Sequence, residues 1–526
     1  MNVKKLILAL LATSALTFAG AARAQDPAAT AAPGEAEADA ALVMQPEAPL
    51  SADDLAAKAA FLEAQVDALQ EQLNELKAQM GRVTPSWKGA PLMADADAGW
   101  SFKPRGRIQY DTAYIENPNN AIVTRNLGFN TRVRRVRLGV EGTIPGGFGY
   151  KFEMDYANSA VGFGDVILTY TPKNQPWFVT IGNHESLDGL DQITSSRFLS
   201  FLERAQMNDA FANTRRLGIS LGLQDKANLL RVNAGLFTAH TIDGGFDNDG
   251  WIGAARATYS PRALGGMLHL GANFQHRQFQ SNAGATLSNS INAPSTNQQA
   301  RYRARPFLQT TDVRFVDTGN FAAKSDDMIG LELGGIFGPF HVAGEAQWTK
   351  VNAYRAGDRL SGLDAFPTAT FLVPSDNPGF FSWYAEAGYY LTGETRGYKV
   401  ERLGGQWDRT KVLKPLSKGG SGAVQLNARF DYLDLNSRAI QQGFTNNFTT
   451  GIFVASNNFA RGGIQTGYLA SLIWIPEDYV RFLLQFVHTE VEGGPFGATV
   501  RPASTRPTDK LSYGVNSVAL RAQVDF

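Results

Sequence analysis

The sequence predicts an all-β fold: a 16-stranded antiparallel transmembrane β-barrel over residues 100–526, preceded by a short α-helical coiled coil. Three observations predict it. From Trp100 onward, apolar residues arrive in short bursts of period two, the repeat of a strand with one apolar and one polar face. The polar faces repeatedly carry charge, and the apolar faces begin or end in aromatics, in a chain with 33 Phe and 16 Tyr. A wet lumen and a lipid band with aromatic girdles leave those marks. Long and short connections alternate, as external loops and periplasmic turns do. A soluble sandwich also alternates, but it packs its apolar face on a second sheet.

The elements follow in order. Residues 1–24 combine a basic start, "MNVKK", an apolar run and the small-x-small site Ala22-Arg23-Ala24, which is a secretory signal removed on export. Past it no run of about 18 apolar residues remains, so no transmembrane helix is expected. The chain has no cysteine, which excludes a disulfide framework, thiolate metal sites and cysteine nucleophiles. Residues 25–50 are Ala/Pro/Glu-rich without period, a flexible linker. Residues 51–82 place Leu55, Ala59, Leu62, Val66, Leu69, Leu73, Leu76 and Met80 at alternating spacings of four and three. That heptad seam predicts a coiled-coil helix, too short to be stable alone in water and so expected to self-associate. A linker over 83–99 leads to the barrel.

Sixteen strand segments are expected, near 100–114, 131–142, 148–157, 163–172, 177–183, 215–224, 229–239, 251–259, 267–277, 328–335, 340–351, 381–391, 423–435, 463–475, 479–490 and 511–526. Even connections are short turns such as "IPGG" and "PED", while odd ones include the long stretches 278–327 and 352–380. One connection breaks the rule: 392–422 is long where a short turn belongs. An even strand number puts both ends, and the coiled coil, in the periplasm.

Charge is unevenly spread. The formal net charge is zero, but residues 25–80 hold 11 acidic and two basic residues, leaving 44 basic and 38 acidic in 81–526. The segment "RVRRVRLGVEG" shows where the positive charge goes. Val136, Leu138 and Val140 are apolar, so the even face meets lipid and Arg135, Arg137 and Glu141 face the lumen, with Arg132 and Arg134 near the outer rim. An arginine on the lipid face at mid-membrane would cost about 2–4 kcal/mol. In the first strand Arg105 and Arg107 likewise face in, and elsewhere the polar face carries Arg216, Arg231, Arg429 and Arg521. Arginine or lysine rings in a pore select anions and phosphate, and the guanidinium fork binds phosphate oxygens bidentately.

Four stretches carry a resemblance to the phosphate-selective porin O and P family over about 100–526: "RGRIQYD", "RRVRLGVEGTIPGGFGYKFEMDY", "LTYTPKNQPWFVTIGNHESLDGLDQITSSRFLSFLER" and "WYAEAGYYLTGETRGYKV". The resemblance implies a trimeric anion channel of the outer membrane whose third loop folds inward and narrows the pore, and a long turn at 392–422. It implies that Arg107 matches a constriction arginine of the first strand, and that Arg134 and Arg135 match an adjacent arginine pair. Arg137 takes a position where the family can have tyrosine, and Arg197 falls on the basic position of the loop-three motif. Arg301, Arg303 and Arg305 in "RYRAR" are similar to an arginine-rich vestibule segment. The chain departs from the family in its lysine-free third loop, where residues 184–209 hold five acids against Arg197 and Arg204.

Other functions fit less well. The six histidines are scattered, with no HExxH and no GxSxG, so no enzyme is expected. No cofactor, metal or nucleic-acid partner is implied. The expected partners are inorganic anions (phosphate among them), outer-membrane lipid and copies of the chain. A weakly selective porin, or a channel for another small anion such as a carboxylate, is the alternative.

Overall fold

The computed structural model describes residues 60–72 and 86–526 apart from 96, 118–124, 158–160, 228, 243–249, 280–298, 355–369, 401–403, 448–451, 458–459 and 498–509. The expected signal segment 1–24 and linker 25–50 lie outside the described residues. So do both flanks of the coiled coil expected over 51–82; between them, 60–72 is an α-helix with every residue exposed. The chain divides into two units, Met1–Glu75 and Leu76–Phe526.

The second unit is built on sixteen strands: β1 Trp100–Ile115, β2 Gly128–Ile144, β3 Phe148–Asp155, β4 Gly162–Tyr170, β5 Trp177–Glu185, β6 Arg215–Gln224, β7 Leu230–Thr238 and β8 Trp251–Tyr259, then β9 Gly266–Gln278, β10 Phe321–Phe337, β11 Phe340–Ala353, β12 Gly379–Tyr390, β13 Ala423–Asp434, β14 Ile464–Glu477, β15 Val480–Glu492 and β16 Ser512–Asp525. Each pairs antiparallel with the next. β16 returns to β1 with Leu520 opposite Thr112 and Val524 opposite Ile108, so the barrel closes and leaves no edge. Every expected segment finds its strand. The largest change is at β10, expected from 328 but starting at Phe321, because Lys324–Asp327 interrupts the apolar alternation while the ladder to β9 continues.

Burial follows parity. In β16 Val518, Leu520 and Val524 are 40–46% exposed, whereas Ala519, Arg521 and Gln523 are at most 5% exposed. Phe102, Ile108 and Tyr110 of β1 face out, while Arg107, Gln109 and Asp111 are buried inside. The exterior is thus a lipid-compatible apolar band, and the inward face mixes charged and polar residues with buried apolar ones such as Leu483, Val487 and Val515.

Two connections bond to that face and to each other. Residues 186–214, between β5 and β6, bond to walls far apart in sequence. Gln275 donates to the Ser186 carbonyl (2.9 Å), Asp191 N–H to Glu345 (2.7 Å), Ser200 Oγ to Glu386 (3.0 Å) and Leu202 N–H to Gln485 (2.8 Å). The long turn 391–422 reaches the same segment from the other end. Arg396 donates to Ser200 Oγ (2.6 Å) and the Phe198 carbonyl (3.2 Å), and Trp407 N–H to Thr194 (3.3 Å).

Within 83–99, read from the sequence as a linker, Ser86–Lys88 and Ala90–Asp95 pair as a hairpin about Gly89. Its second strand adds to the start of β1, with Met93 opposite Phe102. The stretch is too short, and broken by Pro91, to register as a strand by alternation alone.

Candidate functional site

The arginine run of β2 is placed by a β-bulge. Gln109 lies opposite Arg135 but Tyr110 lies opposite Val133, so Arg134 is the extra residue. A bulge re-aims a side chain locally. Arg134 therefore departs from strict alternation: it turns inward beside Arg135 and grips Glu203 bidentately at 2.7 and 3.1 Å. Val133 and Leu138 keep the lipid side, 43% and 52% exposed. A second irregularity on β4, where Phe152 faces Val166 and Met154 faces Phe163, sets Gly164 and Asp165 together opposite Glu153, and Asp165 faces inward with Ile167 and Thr169.

Two cavities adjoin this wall. The outer one, about 430 Å³, is lined by Arg134, Glu203, Asp209 and Arg305 among others; the inner one, about 740 Å³, by Lys103, Arg105, Arg107, Glu153, Asp165 and Arg197 among others. Four residues line both, and all four are arginines: Arg135, Arg137, Arg204 and Arg215. They form a waist between two chambers.

The waist guanidiniums differ in how far they are neutralised. Arg137 pairs with Glu153 and Asp155, both at 2.8 Å, and Arg215 with Asp165 (2.5 Å) and Glu185 (2.7 Å). Arg135 donates to Gln109 (2.8 Å) and has its nearest carboxylate, Glu203, at 4.0 Å, with its Nε unbonded. Arg204 donates only to two carbonyls of its own loop, Asp191 (2.8 Å) and Thr194 (2.7 Å). Its charge has no carboxylate partner among the described residues. Below the waist, Arg107 bonds Ser196 Oγ and sits 3.3 Å from Glu153, and Arg105 pairs with Glu141. Arg197 lies over the Phe198 ring and 3.5 Å from Asp525.

Other inward arginines are struts. Arg521 pairs with Asp111 (2.6 and 2.7 Å) and Glu203 (3.1 Å), and donates to the Leu202 carbonyl (2.6 Å). Arg429 pairs with Glu386, Arg231 bonds the Val400 carbonyl, and Arg216 donates to the Ala239 carbonyl (3.2 Å). None of these four lines either chamber. Of the "RYRAR" arginines, Arg305 lines the outer chamber and bonds Asp209, while Arg301 is paired with Asp317 (2.6 Å) and, like Arg303, lies outside that lining.

Loop electrostatics match this division. Burial raises the Glu203 carboxyl, but Arg134, Arg135 and Arg521 override it and hold the group well below the usual carboxylate range. Burial, then Arg105, pushes Arg197 down to about 10. At the loop's start, burial and then Glu185 push Asp188 up to about 6, where Ser186 (3.0 Å) and Gln275 (2.7 Å) donate to it.

The sequence reading did not place Arg204 and Arg215 in the site. Nothing local marks which loop cation points at a cavity. Arg215 lies on the wrong parity for β6, but Thr214 takes a positive φ of 57° and swings the strand's first residue toward Asp165.

A closed 16-strand barrel with an apolar exterior and a charged, cavity-bearing interior is a porin of the outer membrane. This chain belongs to the phosphate-selective porin O and P family, whose pattern matches residues 102–526. It is 34% identical over 451 residues to an uncharacterized protein of Caulobacter vibrioides, covering 84% of this chain and 77% of that one. It is 25% identical over 374 residues to Porin O of Pseudomonas aeruginosa, covering 65% and 75%. Among solved structures, an anion-selective porin from Comamonas acidovorans aligns with TM-score 0.44 at 14% identity, over 81% of this chain and all of that one.

Proposed function

We propose that the chain forms a passive, water-filled channel selective for anions, phosphate or related oxyanions among them. The third loop narrows the pore, and the waist of Arg135, Arg137, Arg204 and Arg215 selects. The lining charge carries this reading: eleven basic against five acidic residues in the inner chamber, and six against two in the outer. Such a surplus raises the local anion concentration through the focused field. At the waist an anion exchanges part of its hydration shell for charge-assisted hydrogen bonds, from Arg204 and Arg135 first because they are least neutralised. Arg107 and Arg197 continue the cationic path inward, and Arg305 stands at the outer entrance.

A weakly selective channel, or one for a small carboxylate, is favoured by one observation: Arg137 and Arg215 each hold two carboxylates. Conductance in chloride with added phosphate or acetate separates the readings. Saturating block by phosphate at millimolar concentration or below is expected; equal, weak effects of both anions would favour the second reading.

The native assembly in this proposal is a trimer in outer-membrane lipid, with the helical segment in the periplasm. The exposed seam supports self-association: Leu62, Val66 and Leu69 are 52–63% exposed in a helix of 13 residues. So short a helix is marginal in water unless that face is covered.

A further inference from the structure

We propose that the hairpin 86–95, which lies ahead of the family-matched residues 102–526, is the inner end of the conduction path, with Leu92 a selectivity-determining position there. The inference rests on the channel reading of the inner chamber. Leu92 is part of that chamber's lining, together with Ser101, Lys103 and Arg105 of β1.

The hairpin is fixed to the short-turn rim at both ends. Ala94 and Asp95 pair with Ser101 and Trp100, and Asp95 closes the intervening turn by accepting from Ala98 N–H (3.0 Å) through its carboxylate and from Gly99 N–H (2.9 Å) through its carbonyl. At the tip, Gly89 has φ +81° and lies against the Tyr479 ring, where a Cβ would come within 2.3 Å of a ring carbon. Ala90 beside it is 2% exposed. Tyr479 is in the β14–β15 turn and also carries the Arg409 guanidinium, 4.4 Å from its ring centre. The hairpin thus spans the rim from β1 to β15 beneath β16. Alternation along 90–95 puts Leu92 toward the chamber and Met93, 43% exposed, on the opposite face.

Leu92 itself brings no charge to a lining that holds Lys103 and Arg105, so one charge added at this position acts on the passing ion without removing an existing one. The chain has no cysteine, so single-cysteine variants need no altered background. Leu92→Cys and Met93→Cys are reconstituted in planar bilayers and treated with anionic or cationic methanethiosulfonate reagents. For Leu92→Cys, the anionic label is expected to lower the anion-to-cation permeability ratio about twofold to fivefold and the cationic label to raise it, the scale of one unit charge at contact distance in water. Met93→Cys should respond to neither. If labelled Leu92→Cys, with incorporation confirmed by mass, matches unlabelled channels, the hairpin is not in the path. If unlabelled protein forms no ion channel, the channel reading itself fails.

Discussion

Replacing Arg135 and Arg204 together with glutamine is expected to cut the anion-to-cation permeability ratio by more than tenfold. These are the waist cations with the weakest neutralisation: the nearest carboxylate to Arg135 stands 4.0 Å away, and Arg204 bonds only carbonyls. A unit charge about 4 Å from a passing ion is worth about 1 kcal/mol even at the dielectric of water, or roughly fivefold per guanidinium. Glutamine can still bond Gln109 from position 135 and a loop carbonyl from position 204, so the loop is held while the charge is removed. Bilayer reversal potentials in a salt gradient give the ratio. A change below twofold would mean that the paired arginines, 137 and 215, or the chamber walls set selectivity.

The second large effect is on the strut Arg521. Arg521→Met removes the partner of Asp111, 1% exposed in β1, and the donor to the Leu202 carbonyl. Leaving a buried charge without its partner costs about 3–5 kcal/mol. The variant should unfold at lower denaturant concentration. It should also release the third loop from the β1–β16 wall, giving a larger and noisier single-channel conductance. Restoring neutrality with Asp111→Asn in the same chain should recover most of the stability but not the quiet conductance, because the Leu202 carbonyl stays without its donor. Unchanged conductance in Arg521→Met would show that the wall arginines do not hold the loop.

The barrel was legible because lipid enforces it. An outward charge is costly at every mid-membrane position, so parity in β1, in β16 and in β2 from Arg135 onward could be read residue by residue. What parity could not show is where it breaks. Arg134 is on the lipid-facing parity and reaches the lumen only through the bulge opposite Gln109 and Tyr110. Arg215 depends on the left-handed turn at Thr214. Nor does inward parity separate a pore cation from a strut. Arg135 and Arg521 look alike in sequence, yet one lines both chambers and the other is bonded to Asp111, Glu203 and Leu202. That difference arises from the loop each one meets. Arg204 was hidden for the same reason, and the hairpin 86–95 because six residues with a proline give too little alternation.

Anion selectivity here requires that the basic surplus of the chambers outweigh the acids paired within them. The reversal potential of the wild-type channel across a KCl gradient tests it most directly. A potential near the chloride equilibrium value is expected. A potential near zero or toward potassium would contradict it, and would mean that Glu153, Asp165, Glu185 and Glu203 cancel the arginines they bind.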